Sequence, residues 1–329
     1  MKIEYGHSIL EHQLPKDRKI LIVVAEPLYE QIHSLLHDHD AHLVLPPSME
    51  ESELETFAGQ LPPGEWVLGI GGGVCMDAAK YIAWKNSLVL WQAPSIVSVD
   101  AAVTETIGIR REGIVRYIGT IWPERVLVDI DLIQSAPKHI NRAGSGDILS
   151  IHTALYDWKL AAEITGEPYY PEVAGQSKQL LERISRASSD IYNVTSAGIK
   201  ELMNLYVAEV DLCQQMGNSR PEEGSEHFWA YHVEYLTGQS YIHGELVALG
   251  ILLMSALQEN ELPRIKAMID SLGIRYRPED LRLSHKTLID SLVGAKTFVQ
   301  NHDLPFSILH HLSIDEKEAE RLIECIYEL

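Results

Sequence analysis

Three side chains in the second half of the sequence have the chemistry of a divalent-metal site. Asp147 follows the string Ala143-Gly-Ser-Gly, His227 follows the polar segment Ser219–Glu226, and His243 precedes Gly-Glu and a long apolar run. One carboxylate and two imidazoles can hold a tetrahedral ion such as Zn²⁺ and leave its fourth position open, as a catalytic metal requires. Because the chain has 15 histidines, spacing alone does not select these two. Each histidine could instead be solvated or part of the core, and Asp147 could be a helix N-cap.

A glycine-rich string in the first half has the composition of a phosphate-binding turn. An apolar segment runs into Gly71, Gly72 and Gly73, and a helical pattern starts near Val74. Glycines let backbone N–H groups approach a pyrophosphate closely, and a helix N-terminus favours its charge. The string is not G-x-G-x-x-G, because Val74 replaces the third glycine, and it lacks the Lys-Ser/Thr pair of a P-loop. A plain tight turn is the alternative, but three adjacent glycines are costly there, which favours phosphate binding.

The elements that must position these groups change in type near residue 145. Before it, continuous apolar runs typical of buried parallel strands alternate with helical segments. The runs are Ile20–Val24, Ala41–Leu45, Trp66–Ile70, Leu88–Trp91, Ser95–Ser98 and Arg125–Ile130. After it, the spacing is mostly helical and is interrupted by proline-containing breaks. We therefore predict a Rossmann-like α/β dinucleotide-binding domain over 1–144 and an all-α, metal- and substrate-binding domain over 145–329.

Composition and charge disfavour several classes of partner. The net charge is −20, from 47 acidic and 27 basic residues, which disfavours nucleic acid and anionic membrane surfaces. Three cysteines give no disulfide framework, and the first ten residues lack the apolar core of a signal peptide. The longest apolar run, Leu246–Leu257, is too short to span a bilayer. We expect a cytoplasmic protein without membrane insertion.

The complete string from Gly69 to Lys80 has the pattern G-x-G-G-G-x-x-x-D-x-A-K and resembles the loop of the iron-containing alcohol dehydrogenase and dehydroquinate synthase superfamily. Members of this superfamily bind their metal through an Asp in A-G-x-G-D and two His, the second in H-G-E. Asp147, His227 and His243 match these positions in the same order. The resemblance implies a dehydroquinate synthase-like fold, a nicotinamide cofactor and one divalent ion, Zn²⁺ ahead of Ni²⁺ or Fe²⁺.

The resemblance also assigns residues of the first domain to the cofactor, NAD or NADP. They are Glu26, Gly71, Gly72, Gly73, Asp77, Lys80, Ser95, Ser98 and Thr104. In similar dehydrogenases an acidic residue after the first strand hydrogen-bonds the adenosine ribose, and its charge repels the 2′-phosphate of NADP. Glu26 therefore favours NAD, unless it is simply a solvated loop residue.

Two further residues are candidates for roles in the reaction itself. Asp100 lies in Pro94–Ala101, which resembles the family's P-T-x-x-S-x-D segment, and is expected to face the substrate hydroxyls. Its alternative role is to cap the next segment. His232 follows His227 by five residues and could orient a ligand or relay a proton. Alternatively, His232 is a surface histidine without a role in the reaction.

The strings Ala143–Ser150 and Ser219–His227 resemble the sn-glycerol-1-phosphate dehydrogenase branch of the superfamily. In such enzymes the metal acts as a Lewis acid on the substrate oxygen, and the nicotinamide carries the hydride. We therefore predict a homo-oligomeric, NAD(P)-dependent, metal-containing dehydrogenase that reduces dihydroxyacetone phosphate, a small polyol-phosphate substrate.

Three alternatives remain open at this point. One is a dehydrogenase of an uncharged polyol such as glycerol, a second is a carbon–oxygen lyase and cyclase like dehydroquinate synthase, and the third is an inactive metal- and nucleotide-binding protein. The phosphate would need cationic partners, for which Arg220 and Lys159 are candidates. Glu222 and Glu223 would disfavour an anionic substrate if they point towards it.

Overall fold

The computed structural model describes residues 1–327, in two compact units that divide after Asn141. The strands, all in the first unit, are β1 Lys2–Gly6, β2 Ile20–Val24, β3 Ala41–Val44, β4 Trp66–Gly71, β5 Val89–Pro94, β6 Thr106–Arg111, β7 Ile114–Thr120 and β8 Arg125–Asp129. The helices that begin in the first unit are α1 Ile9–Gln13, α2 Tyr29–Leu35, α3 Glu51–Gln60, α4 Gly73–Asn86, α5 Ile130–Ser135 and α6 Lys138–Ala143.

The second unit contains helices only, within the residues described. They are α7 Ser145–Thr165, α8 Pro171–Arg186, α9 Ser188–Asn193, α10 Ser196–Met216, α11 Ser225–Thr237, α12 His243–Leu257, α13 Leu262–Leu272, α14 His285–Asn301, α15 Ile308–His311 and α16 Glu316–Tyr327. The units divide within α6, just before the predicted boundary between residues 144 and 145. That boundary, as a division into domains, stays a prediction.

Six strands of the first unit form one parallel sheet in the order β1-β8-β5-β4-β2-β3. All five residues of β2 are buried, as expected for a strand covered on both faces. The core packed against the sheet includes Ile22, Leu68 and Leu127 from three of these strands. This arrangement confirms the predicted α/β fold and explains why its strands are continuous apolar runs.

The strand predicted over Ser95–Ser98 is wrong. A single strand, β5, ends at Pro94, and an irregular loop follows it. The N–H of Val97 bonds the side chain of Asn141 at 2.9 Å instead of a neighbouring strand. The partner of Val97 is thus a side chain 44 residues later in the sequence, and not the backbone of an adjacent strand. The apolar pattern of residues 95–98 does not reveal this contact.

An antiparallel hairpin, β6 and β7, was not predicted from the sequence. Its turn residues Glu112 and Gly113 both have positive φ, 54° and 78°, as a two-residue hairpin turn requires. Only one face of β6 is buried, through Ile107 and Ile109, so the strand lacks the continuous apolar run of the parallel sheet. Strand β1 was also missed.

Helix α12 forms the centre of the second unit. Every residue from Gly244 to Leu257 is buried, and the helix packs against α7, α11, α13 and α16. A helix that is apolar on all sides is stable when it is surrounded in this way. Among residues 1–327, no helix combines the length and the hydrophobicity needed to cross a membrane.

Candidate metal centre and nucleotide-binding loop

Three helix N-termini of the second unit bring Asp147, His227 and His243 together. Asp147 and His227 lie in the first turns of α7 and α11, and His243 is the first residue of α12. One ligand atom from each residue lies within 4.8 Å of the other two. His243 Nε2 is 3.4 Å from an oxygen of Asp147, close to the ~3.3 Å between donors around a tetrahedral Zn²⁺ with bonds of about 2.0–2.1 Å. The donor set and its spacing therefore fit one divalent ion.

Two glycines allow the first turns of α7 and α12 to meet. A Cβ on Gly146 would clash with the backbone of Gly244, and a Cβ on Gly244 would clash with the carbonyl of Ala143. Because side chains cannot fit there, both positions require glycine. The glycines of the Gly-Ser-Gly-Asp and His-Gly-Glu strings thus place Asp147 beside His243.

Glu226 holds the imidazole ring of His227. Its side chain is completely buried, and Oε1 lies 2.9 Å from His227 Nδ1. The same oxygen accepts the N–H of Gly224 at 2.7 Å, while Oε2 accepts the hydroxyl of Thr153 at 2.6 Å. An ionised carboxylate has no hydrogen to donate, so Nδ1 carries the hydrogen and Nε2 is left for a metal.

The carboxylates around His227 also control its charge. Burial lowers the pKa of His227, but the hydrogen bond to Glu226 and the surrounding negative charges, including that of Glu223, outweigh burial and raise the pKa to about 9. Near neutral pH the metal-free protein therefore carries a proton here. A metal that binds His227 must displace this proton, so its binding is coupled to pH.

Asp157, on α7, fixes the segment that precedes His227. Its two oxygens accept the backbone N–H groups of Ser225 and Ile308, both at 2.7 Å. Burial, followed by the charge of Glu226, raises the pKa of Asp157 to about 7. The carboxyl thus anchors the first residue of α11 and links it to α15.

His232 does not belong to the cluster of three candidate ligands. Its Nδ1 donates to the carbonyl oxygen of Ser291 at 2.8 Å, and its ring stacks on Phe298 with centroids 4.7 Å apart. Burial lowers the pKa of His232, which favours the neutral ring. These contacts are those of a core histidine between α11 and α14, and a proton-relay role stays a prediction.

The candidate cations for a substrate phosphate have protein partners. The buried guanidinium of Arg220 donates to both oxygens of Glu167, at 2.7 and 2.5 Å, and to the carbonyl of Phe306. Lys159 is exposed and lies 3.9 Å from Glu163. The Arg220–Glu167 pair is locally neutral, so it contributes little attraction for an anion.

Glu223 places a negative charge near the candidate metal ligands. Its carboxylate accepts the hydroxyls of Ser219 and Tyr231, each at 2.7 Å, and the ring of Tyr231 lies beside that of His227 with centroids 6.2 Å apart. The side chain is therefore fixed near His227. It disfavours a negatively charged group at this position.

In the first unit, the glycine string forms the tight connection between β4 and α4. A Cβ on Gly71 would lie 2.7 Å from the sulfur of Cys75, and one on Gly72 would lie 2.8 Å from Ile96. Helix α4 begins at Gly73. The N–H groups of Cys75 and Met76 donate to the carbonyl oxygen of Gly72, at 3.0 and 3.1 Å. The N–H groups of Gly73 and Val74, at the start of the helix, are therefore the ones that could bind a phosphate.

Lys80 and Asp77 face protein groups. The Lys80 side chain is fully buried, and its ammonium lies 2.7 Å from Asp77 and 2.5 Å from the carbonyl oxygen of Thr106. Thr104 contributes a second carbonyl oxygen at 3.5 Å, and its hydroxyl bonds that of Thr106. These contacts tie α4 to the start of β6, and a direct role of Asp77, Lys80 or Thr104 in cofactor binding stays a prediction.

The remaining cofactor and substrate candidates follow the carboxyl ends of adjacent strands. Glu26 is exposed and begins a short 3₁₀ turn after β2, and Ser95 and Ser98 lie in the loop after β5. Asp100 begins a second 3₁₀ turn. Because β2, β4 and β5 are neighbours and parallel, these residues and the glycine loop share one edge of the sheet, where nucleotides bind in open α/β sheets.

Sequence reasoning missed Glu226 and Thr153. The signal for Glu226 is only that it precedes a candidate ligand, and a glutamate beside a histidine is common. Thr153 follows the string Ala143–Ser150, but nothing in the sequence indicates its contact with Glu226, because that contact depends on the packing of α7 against α11.

The chain resembles known proteins in sequence and in fold. A model of the iron-containing alcohol dehydrogenase family matches residues 8–137. Glycerol-1-phosphate dehydrogenase [NAD(P)+] of Staphylothermus marinus is 31% identical over 259 residues, which cover 78% of this chain and 72% of that protein. The enzyme of the same name from Thermoplasma acidophilum is 27% identical over 304 residues, covering 87% and 86%. A probable glycerol dehydrogenase from Sinorhizobium meliloti 1021 superposes with a TM-score of 0.76 at 16% identity, over 99% of this chain and 96% of that one.

Proposed function

The chain belongs to the iron-containing alcohol dehydrogenase family, and from this premise we propose that it is a metal-dependent, NAD(P)-linked dehydrogenase that interconverts dihydroxyacetone phosphate and sn-glycerol 1-phosphate. The observation that carries the proposal is the cluster of Asp147, His227 and His243 at three helix N-termini. The relatives named glycerol-1-phosphate dehydrogenase support this choice of substrate.

Asp147, His227 and His243 would hold one ion, for which we propose Zn²⁺, with Ni²⁺ or Fe²⁺ as alternatives. When bound, the ion supplies a Lewis acid that polarises the substrate carbonyl or lowers the pKa of the alcohol. Glu226 fixes the ring orientation of His227. Asp100 is proposed to bind the substrate hydroxyls and His232 to relay a proton.

The first unit would bind the nicotinamide cofactor. Gly71, Gly72 and Gly73 shape a turn in which the N-terminus of α4 receives the pyrophosphate. Ser95 and Ser98 would add hydroxyl contacts, and Glu26 would bind the adenosine ribose. Because the Glu26 carboxylate repels a 2′-phosphate, we propose that NAD is preferred over NADP.

A second candidate is a dehydrogenase of an uncharged polyol such as glycerol. The pairing of Arg220 with Glu167, together with the charge of Glu223 near His227, favours a substrate without a phosphate. The two candidates share the same metal, cofactor and hydride chemistry. They differ only in the charge of the substrate.

An absorbance assay at 340 nm separates these candidates. The metal-loaded protein would be offered NADH or NADPH with dihydroxyacetone phosphate or dihydroxyacetone, and NAD with a panel of polyols. We expect NADH oxidation with dihydroxyacetone phosphate. Turnover of only the uncharged ketone would select the polyol dehydrogenase. No net change in NADH with any substrate would contradict both and leave a cyclase or an inactive protein.

We also propose that the protein is a cytoplasmic homo-oligomer. The three cysteines are free, as a reducing compartment would keep them. Light scattering coupled to size-exclusion chromatography measures the mass directly, and a monomer of 37.0 kDa would contradict the oligomer.

A further inference from the structure

We propose that Glu226 is a positioning residue that presents Nε2 of His227 to the metal, and that Thr153 in turn fixes Glu226. The inference rests on the proposed function, since it requires a metal at this centre. It concerns residues that bind no metal themselves and act through His227.

The contacts of Glu226 favour this role over general packing. Each of its oxygens has a donor in the structure: Oε1 is shared by His227 Nδ1 and the N–H of Gly224, and Oε2 accepts from Thr153. The carboxylate is fully buried, so water does not compete for these bonds. A buried carboxylate bonded to a histidine fixes the ring, its tautomer and its basicity, and outer partners of this kind are a recurring feature of metal sites.

The surrounding backbone leaves Glu226 little freedom to move. A Cβ on Gly224 would lie 2.8 Å from an Asp157 oxygen and 3.1 Å from Oε2 of Glu226. A Cβ on Gly250, in α12, would lie 2.7 Å from the carbonyl oxygen of Glu226. The first turn of α11 is therefore packed directly against the neighbouring helices α7 and α12. Because His227 lies in this turn, the same packing fixes the position of its backbone.

Thr153 has one hydroxyl hydrogen and two acceptors within reach. Its oxygen lies 2.6 Å from Glu226 Oε2 and 3.1 Å from the carbonyl oxygen of Ser150. The shorter contact, to an ionised group, is the stronger one. The hydroxyl therefore binds the carboxylate oxygen that His227 does not contact, and it belongs to a residue on the helix that carries Asp147.

The test compares the dissociation constants for Zn²⁺ of metal-stripped wild type and variants, by competition with a chromogenic chelator. Glu226→Gln keeps the shape but removes the charge, and we expect affinity to fall by about 10- to 100-fold. Thr153→Val keeps the carboxylate but removes one bond that orients it, and we expect a loss of about 3- to 10-fold. A metal affinity equal to that of the wild type in both variants would overturn the inference.

Two matched controls isolate the effect. Glu201→Gln changes the net charge equally at a glutamate whose partner is Arg183, and Thr165→Val removes a hydroxyl at the far end of α7 that bonds only nearby backbone. Both should bind Zn²⁺ with wild-type affinity. Circular dichroism and thermal unfolding identify any variant that does not fold. If Glu226→Gln failed to fold, Thr153→Val would still decide the outcome.

A second measurement reports the geometry directly. Nitrogen NMR of histidine-labelled, Zn²⁺-loaded protein should show hydrogen on Nδ1 of His227 and metal on Nε2, with a shift in Nδ1 upon Glu226→Gln. Coordination through Nδ1 would contradict the inference while leaving the metal centre intact. If the wild type bound no metal at all, the proposed function would fail together with the inference.

Discussion

The backbones of Gly146 and Gly244 are in direct contact, so that a Cβ on Gly146 would lie 2.8 Å from the Cα of Gly244. This contact joins the first turns of α7 and α12. It therefore sets the distance between Asp147 and His243, which follow and precede the two glycines in sequence.

An alanine at either glycine should force the two helix ends apart. For Gly146→Ala we expect a loss of about 1–3 kcal/mol in the free energy of unfolding, as for other overpacked sites, together with weaker Zn²⁺ binding. Denaturant unfolding and chelator competition measure the two effects. Gly175→Ala is the control, because nothing lies within 4 Å of its Cβ in helix α8; it should stabilise by about 0.5–1 kcal/mol. Unchanged stability and affinity in Gly146→Ala would show that the contact is not required.

Glu223 should reduce affinity for an anionic substrate. In Glu223→Gln we expect the KM for dihydroxyacetone phosphate to fall about 3- to 10-fold, which corresponds to roughly 1 kcal/mol for a partly screened charge. The KM for dihydroxyacetone should change little, because that ketone is neutral. Initial rates with both ketones measure this difference, and Glu201→Gln controls for net charge. An equal change for both ketones would mean that Glu223 acts on the fold or the metal instead of the phosphate.

Asp157 should make stability depend on pH in the acidic range. Its pKa is raised from 3.8 to about 7 in the folded protein, so the folded state holds a proton that the unfolded chain has released. Its contribution is complete below pH 4 and is lost as pH rises towards 7, by roughly 2–4 kcal/mol in total. Urea unfolding of metal-free protein between pH 4 and 6 should show this decrease in the wild type. In Asp157→Asn the decrease should be smaller, and parallel pH profiles would refute the assignment.

Glu26 should determine the choice between the two nicotinamide cofactors. Glu26→Ser removes the charge that would repel a 2′-phosphate, so any preference of the wild type for NADH over NADPH should narrow. The ratio of kcat/KM for the two cofactors measures this effect. Glu30→Ser, four residues further on in α2, is the control and should leave the ratio unchanged. If Glu26→Ser kept the wild-type ratio, Glu26 would be only a solvated loop residue.

Local sequence patterns were sufficient to predict the parallel sheet and the candidate metal ligands. The buried run Ile20–Val24 is continuous because β2 is covered on both faces, and such runs indicate a parallel sheet. The proposed ligands Asp147 and His243 stand next to glycines that the structure requires for close helix contact, so their short strings carry information about the site. The prediction of the metal-ligand set depended on those strings and not on the number of histidines.

Long-range contacts explain what the sequence could not predict. Glu226 and Thr153 are 73 residues apart, and neither position shows that the other will face it. From its residue type, Arg220 is a candidate phosphate ligand. In the structure, however, its guanidinium is paired with Glu167, which lies 53 residues earlier in the sequence. The strand predicted at Ser95–Ser98 failed for the same reason, since the side chain of Asn141 replaces the expected neighbour of Val97.

The central claim is that Asp147, His227 and His243 hold one ion that the proposed dehydrogenase reaction requires. The most direct test is NADH oxidation with dihydroxyacetone phosphate by metal-stripped protein, before and after addition of Zn²⁺, in the wild type and in Asp147→Asn, His227→Ala and His243→Ala. We predict that Zn²⁺ restores turnover in the wild type, whereas each variant stays at background while still binding NADH. Full turnover in a variant that lacks all three side chains would contradict the account.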